Sequence, residues 1–86
     1  MPYISMFFGI IIRMFYNEHN PPHFHAEYQG QRGIFDFEGS MLKGNMRSKT
    51  AQKLIREWAL LHQDELAANW NKAEKGKQPD RIAPLE

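Results

Sequence analysis

The chain contains no cysteine, no apolar run long enough to cross a bilayer, and almost no net charge. Without thiols, neither a disulfide nor a thiolate metal site can support so small a core, and the absence fits a reducing cytoplasm. The longest apolar stretch, Met6 to Ile12, is cut off by Arg13. A membrane-spanning helix needs roughly 20 such residues, and a signal peptide carries its basic residues before the apolar run, so neither is expected here. Eleven basic residues against ten acidic ones leave a net charge of +1, which imposes no nucleic-acid partner on bulk electrostatics alone. No repeat, low-complexity segment or linker interrupts the 86 residues, so one cytoplasmic domain covering 1–86 is expected.

What the chain does have is aromatic and β-branched residues in strand-like order. Six Phe, three Tyr and two Trp argue for a folded chain rather than a disordered one. Phe7 to Tyr16 is apolar at both parities, the pattern of a strand covered on both faces, with Gly9 marking a bend or bulge. Asn17 to Pro22 ends it, because two prolines donate no ladder hydrogen bonds. His23 to Tyr28 then alternates, with His23, His25 and Glu27 on one side and Phe24, Ala26 and Tyr28 on the other. A two-residue turn at Gln29-Gly30 predicts the pairs Glu27–Arg32, Ala26–Gly33, His25–Ile34, Phe24–Phe35 and His23–Asp36. A slip of one residue would set Phe24 opposite a polar neighbour, so the pattern itself pins the register. Gly39-Ser40 makes a second turn, and Met41 to Met46 offers a further short strand weakened by Gly44.

Ser48 is a good N-cap for the helical pattern that follows. Ala51, Leu54, Ile55, Trp58, Leu61, His62, Leu66 and Trp70 recur at three- and four-residue intervals. Neither Gly nor Pro occurs between Arg47 and Lys75, so the pattern predicts one long helix, with a kink allowed near Gln63-Asp64 and a stop at Gly76. The expected fold is α+β: an antiparallel meander of three to four strands (about 4–46), packed on one face by a long C-terminal helix (about 48–75). An extended tail (76–86) follows, anchored by Ile82 and Leu85. Trp58 and Trp70 should cover Phe24, Phe35 and Phe37, and the histidine-bearing face should lie away from the helix.

The chemistry concentrates in His19-Asn20-Pro21-Pro22-His23-Phe24-His25-Ala26-Glu27, which holds three of the four histidines. Two histidines two apart on a strand project together, a common way to offer two imidazoles to one ion. In a metal reading the candidate ligands are His19, His23, His25 and Glu27, with zinc the best-suited ion and Asp36 able to orient His23. In a metal-free reading His23, His25 and Asp36 are the catalytic candidates. One imidazole would take a 2′-hydroxyl proton from RNA and the other would protonate the leaving oxygen, while Lys43, Arg47 or Arg13 stabilises the phosphorane. A basic run without acids between Met41 and Arg56 makes Lys43, Arg47, Lys49 and Lys53 candidate nucleic-acid contacts. The plain alternative is a polar outer face with no catalytic role. His62 reads as a packed histidine with one satisfied nitrogen.

Several segments together resemble a known bacterial family. They are Met6 to Met14, His19 to Tyr28, and the group Glu57-Trp58, His62, Glu65-Leu66 and Asn69-Trp70. They are similar to the family called domain of unknown function 4160. The resemblance implies a small stand-alone protein, often encoded beside a member of domain of unknown function 2442, and some relatives are described as toxin–antitoxin components or transcriptional regulators. It implies no catalytic residues. The expectation is therefore a toxin–antitoxin-like or regulatory component acting with a small partner protein, able to bind or cleave RNA. A metal-binding domain or metal-dependent hydrolase centred on His23 and His25 is the first alternative. The second is a non-catalytic interaction module, with homodimerisation open to it through a free strand edge or the apolar helix stripe.

Overall fold

Two tight turns, each built on a pair of left-handed residues, set the geometry of the sheet in this computed structural model, which describes residues 3–86. Phe8 (φ 49°) and Gly9 (φ 79°) join β1 (Ser5–Phe7) to β2 (Ile10–Arg13). Gln29 (φ 47°) and Gly30 (φ 76°) join β3 (Phe24–Tyr28) to β4 (Gln31–Phe35). Positive φ at both central residues is the hairpin turn whose twist matches that of the flanking strands. With β5 (Met41–Gly44) the strands form one antiparallel sheet in the order β1-β2-β3-β4-β5.

The α+β class stands, but the sheet has five strands rather than three to four. The single strand expected over Phe7 to Tyr16 is a hairpin. Phe8 is 59% exposed at its tip, and Ser5, Met6 and Phe7 pair with Ile12, Ile11 and Ile10. A phenylalanine in left-handed geometry gives no sequence signal of a turn, which is why Gly9 alone read as a bend. The β3–β4 register is the one the alternation predicted from Phe24–Phe35 to Tyr28–Gln31, and the pair extrapolated beyond it, His23–Asp36, does not form. A bulge between Ile34 and Phe35 shifts the pairing of β4 with β5.

Two helices cover one face. They are α1 (Lys49–Leu61), capped by the Ser48 hydroxyl accepting from the Ala51 N–H at 3.1 Å, and α2 (Gln63–Glu74). The single long helix expected over 48–75 is thus broken at His62, whose φ of −125° is not helical. There is no breaker residue at the junction. Instead His62 serves both helices, its N–H donating to the Ala59 carbonyl and its own carbonyl accepting from Leu66. Its Nδ1 lies 2.6 Å from Glu65 Oε1, and Asp64 and Glu65 in the first turn of α2 suit the positive end of that helix. The break turns Leu61 out to 69% exposure, although the spacing had placed it in the apolar stripe.

Between the layers Trp58 is fully buried, 5.5 Å edge-on from Phe24 and 5.5 Å from Phe7, while Phe24 stacks on Phe35 at 5.8 Å. Burying one such ring contributes about 2–3 kcal/mol. The tail is anchored through Ile82, which is buried and donates to the Ile4 carbonyl at 2.7 Å. Asn69 exchanges two 2.9 Å hydrogen bonds with the Asp80 backbone, and the Trp58 indole donates to the Ala83 carbonyl.

Gly39 (φ +85°) lies so close to α1 that an added Cβ would sit 2.5 Å from the Arg56 Cα, whereas a Cβ at Gly30 (φ +76°) meets nothing within 4 Å. Gly30→Ala should therefore cost about 1 kcal/mol, from backbone strain alone. Gly39→Ala should cost about 3 kcal/mol, because the sheet-to-helix approach must also open. Urea denaturation of the two variants checks this, and equal losses would remove the close approach as a determinant of stability.

Candidate metal centre

The loop from β2 to β3 runs over Met14 to His23, with Asn17 at φ 55° and a cis Asn20–Pro21 bond. It brings Glu18 back to the start of β3. There the Glu18 carboxylate stands between two imidazoles, Oε1 2.5 Å from His25 Nε2 and Oε2 3.3 Å from His23 Nε2. One donor atom from each of the three residues lies within 4.8 Å of the other two. The rings meet at a 5.3 Å centroid distance.

The two histidines are held differently. His25 sits on β3, half-buried on the face away from the helices, edge-on to Phe15 at 4.6 Å. His23 lies just before the strand, 8% exposed, with its ring 5.2 Å from that of Trp70 on α2. The expectation that the whole histidine-bearing face lies away from the helices is therefore corrected: His25 is on that face, while His23 is packed under α2. The physical cause is local. His23 Nδ1 donates to the Pro21 carbonyl at 2.8 Å, which fixes the ring at the end of the sheet where Trp70 covers it.

That hydrogen bond also decides the chemistry of the other nitrogen. With the proton on Nδ1, a neutral His23 directs the Nε2 lone pair toward a carboxylate oxygen, and two acceptors cannot bond each other. His23 Nε2 is buried and has no hydrogen-bond partner among the described residues. The position calls for positive charge, supplied by a proton or by a cation held between the rings and the carboxylate. A histidine whose second nitrogen donates to a backbone carbonyl is also the usual orientation of a metal-bound imidazole.

The other candidates are placed elsewhere. Glu27 pairs with Arg13 at 3.1 Å and with Arg32 at 3.7 Å. His19 is exposed and lies outside the three-ligand group. The Asp36 carboxylate accepts from the backbone N–H groups of Glu38 and Ser40, so it shapes the turn into β5 rather than orienting His23. Lys43 is exposed on β5, while Lys49 and Lys53 are exposed on α1, on the opposite layer of the molecule from His25. Arg47 is exposed, and its N–H donates to the Gln31 side chain. The residue that sequence reasoning missed is Glu18. The only hint of it was a carboxylate in the loop ahead of Pro-Pro, which carries no spacing signal for a ligand.

Partial burial pushes the Glu18 carboxyl upward, but the hydrogen bond and charge of His25, then the close approach of His23, outweigh it and hold the group below its ordinary value of 4.5. In the metal-free protein, ionised Glu18 therefore adds stability that is fully present above about pH 4.5 and fades as pH falls through the lower folded value. Urea titrations of chelator-treated protein across this range should show a shallower acid limb for Glu18→Gln than for the wild type. Superimposable acid limbs would mean the carboxylate is not stabilised by its two imidazoles.

Among the described residues, no helix is long and apolar enough to cross a membrane. Comparison with curated proteins and with solved structures finds no match. A family model does match, over residues 9–71, a span that includes Glu18, His23 and His25. On that match, which covers more than half of the chain, the protein belongs to the family described as domain of unknown function (DUF4160).

Proposed function

We propose that the protein binds one divalent metal ion through Glu18, His23 and His25, and that zinc is the ion best suited to the site. The observation that carries this reading is His23 Nε2, a buried nitrogen with no hydrogen-bond partner among the described residues, facing a carboxylate at 3.3 Å. Two nitrogens and one oxygen are a donor set that zinc favours. Tetrahedral ligation at about 2.0–2.1 Å places neighbouring donors about 3.3 Å apart. An ion would therefore require the 2.5 Å approach of Glu18 to His25 to widen and the group, which spans up to 4.8 Å, to draw together. Three protein ligands leave the fourth position free for water, the arrangement of hydrolytic rather than purely structural zinc sites.

Burial of His23 weighs against the metal-free RNA-cleavage reading, which needs both imidazoles to reach substrate. The partner-protein reading keeps support of its own. β5 is the last strand of the sheet, all four of its residues are exposed, and Leu42 on it is 48% exposed. An edge of this kind suits strand pairing with a small partner, in a toxin–antitoxin or regulatory pair or in a homodimer.

Elemental analysis after zinc loading and desalting should find one zinc per chain. His23→Ala and Glu18→Gln should lose it, while His19→Ala and Glu27→Gln should keep it. Free zinc at about 100 times its dissociation constant should stabilise the wild type by about 2.7 kcal/mol, and chelation should reverse the gain. Zinc retained in both His23→Ala and Glu18→Gln, or absent from the wild type, would sink the proposal.

A further inference from the structure

The face of the sheet away from the helices carries a groove of about 720 Å³, within the usual range for small-ligand sites. Strand pairing explains it. Arg13 lies opposite His25, His25 opposite Ile34, and Ile34 opposite Lys43, so these four side chains form one row across β2 to β5. Ile11, Glu27 and Arg32 form the adjoining row. Strands are spaced about 4.8 Å apart, so Arg13 and Lys43 stand about 14 Å apart at the two ends of the first row. Both side chains are long enough to bend inward over His25 and Ile34, which lie between them.

We infer that this groove binds a small phosphate monoester, its phosphate held by Arg13, Arg32 and Lys43 and its apolar body lying on Ile11 and Ile34. Three cations and the single carboxylate of Glu27 line the groove, a surplus of two positive charges. A monoester phosphate carries about −1.5 to −2 near neutral pH, which matches that surplus. A carboxylate ligand would leave part of it unpaired. Glu27 already touches Arg13 and Arg32, so it holds both guanidinium groups in place before an anion arrives. A single strand of RNA fits less well: its bases stack on exposed aromatic rings, and the two aromatic rings of this lining, Phe15 and His25, are packed edge-on against each other. Lys49 and Lys53, which would extend a track for a polyanion, are on the other layer.

His25 lines the groove and also belongs to the Glu18–His23–His25 group, so a bound phosphate would lie beside the metal centre. The inference deepens the metal reading by naming the ligand class next to that centre, and it rests on that reading only there. The binding itself depends on the groove.

The test is amide NMR titration of the full chain with phenyl phosphate, inorganic phosphate and an RNA hexamer, each in zinc-loaded and chelator-treated protein. Phenyl phosphate should shift the amides of Arg13, Arg32, Ile34 and Lys43 and bind at least tenfold tighter than inorganic phosphate. Arg32→Glu and Lys43→Glu, both at exposed positions, should each weaken it at least tenfold while leaving the amide spectrum of the unliganded fold in place. Equal affinity for inorganic phosphate, a tighter RNA hexamer, or no shifts at millimolar phenyl phosphate would each overturn the inference. The two proposals fail separately. Protein that takes up zinc but shows no groove shifts refutes this one alone. Protein that binds phenyl phosphate without taking up zinc refutes the metal centre alone.

Discussion

A single hydrogen bond, from His23 Nδ1 to the Pro21 carbonyl, sets the character of the candidate centre. With that nitrogen committed, Nε2 lies 3.3 Å from a Glu18 oxygen, and Trp70 packs beside the ring at 5.2 Å. The carboxylate then serves two imidazoles at once, one on the core side of the sheet end and one on its open face. Movement of the His23 ring alone would leave its buried nitrogens without partners, whereas His25 and Glu18 are part-exposed.

The same arrangement ties the centre to both layers. Trp70, which covers His23, is on α2, and α2 exists as a separate helix because the chain turns at His62. Asn69, beside Trp70, is locked to the tail at Asp80, and Lys72 forms an ion pair with the same aspartate. His25 belongs to β3, whose neighbours β2 and β4 supply Arg13, Ile11, Arg32 and Ile34 to the open face. The centre therefore sits where the buried and open faces of one strand meet, and it couples helix packing to the groove.

That two-faced character also accounts for the apolar residues left on the open side. Ile11 and Ile34 are not errors of patterning in an otherwise polar face; both line the groove, Ile34 lying between His25 and Lys43 across the strands. Read as sequence, Ile11 made the first segment look apolar at both parities and so fully covered. In the folded chain Ile10 and Ile12 face the core with no exposure, while Ile11 and Arg13 are half-buried on the outer side.

The sequence alone determined the features that depend on near neighbours. The alternation of His23 to Tyr28 and the Gln29-Gly30 turn settled the β3–β4 register, since a shift by one residue moves every side chain to the wrong face. Ser48 and Gly76 marked where the helical region begins and ends, because caps and left-handed stops are properties of single residues. Only the tertiary structure decided the rest. The turn at Phe8 is held by the pairing of β1 with β2 in a conformation that its side chain disfavours. The break at His62 has no breaker residue, being held instead by the hydrogen bonds His62 makes to both helices. The place of Glu18 depends on how a ten-residue loop closes over the end of the sheet. The residue spacing along that loop says nothing about which carboxylate will meet which imidazole.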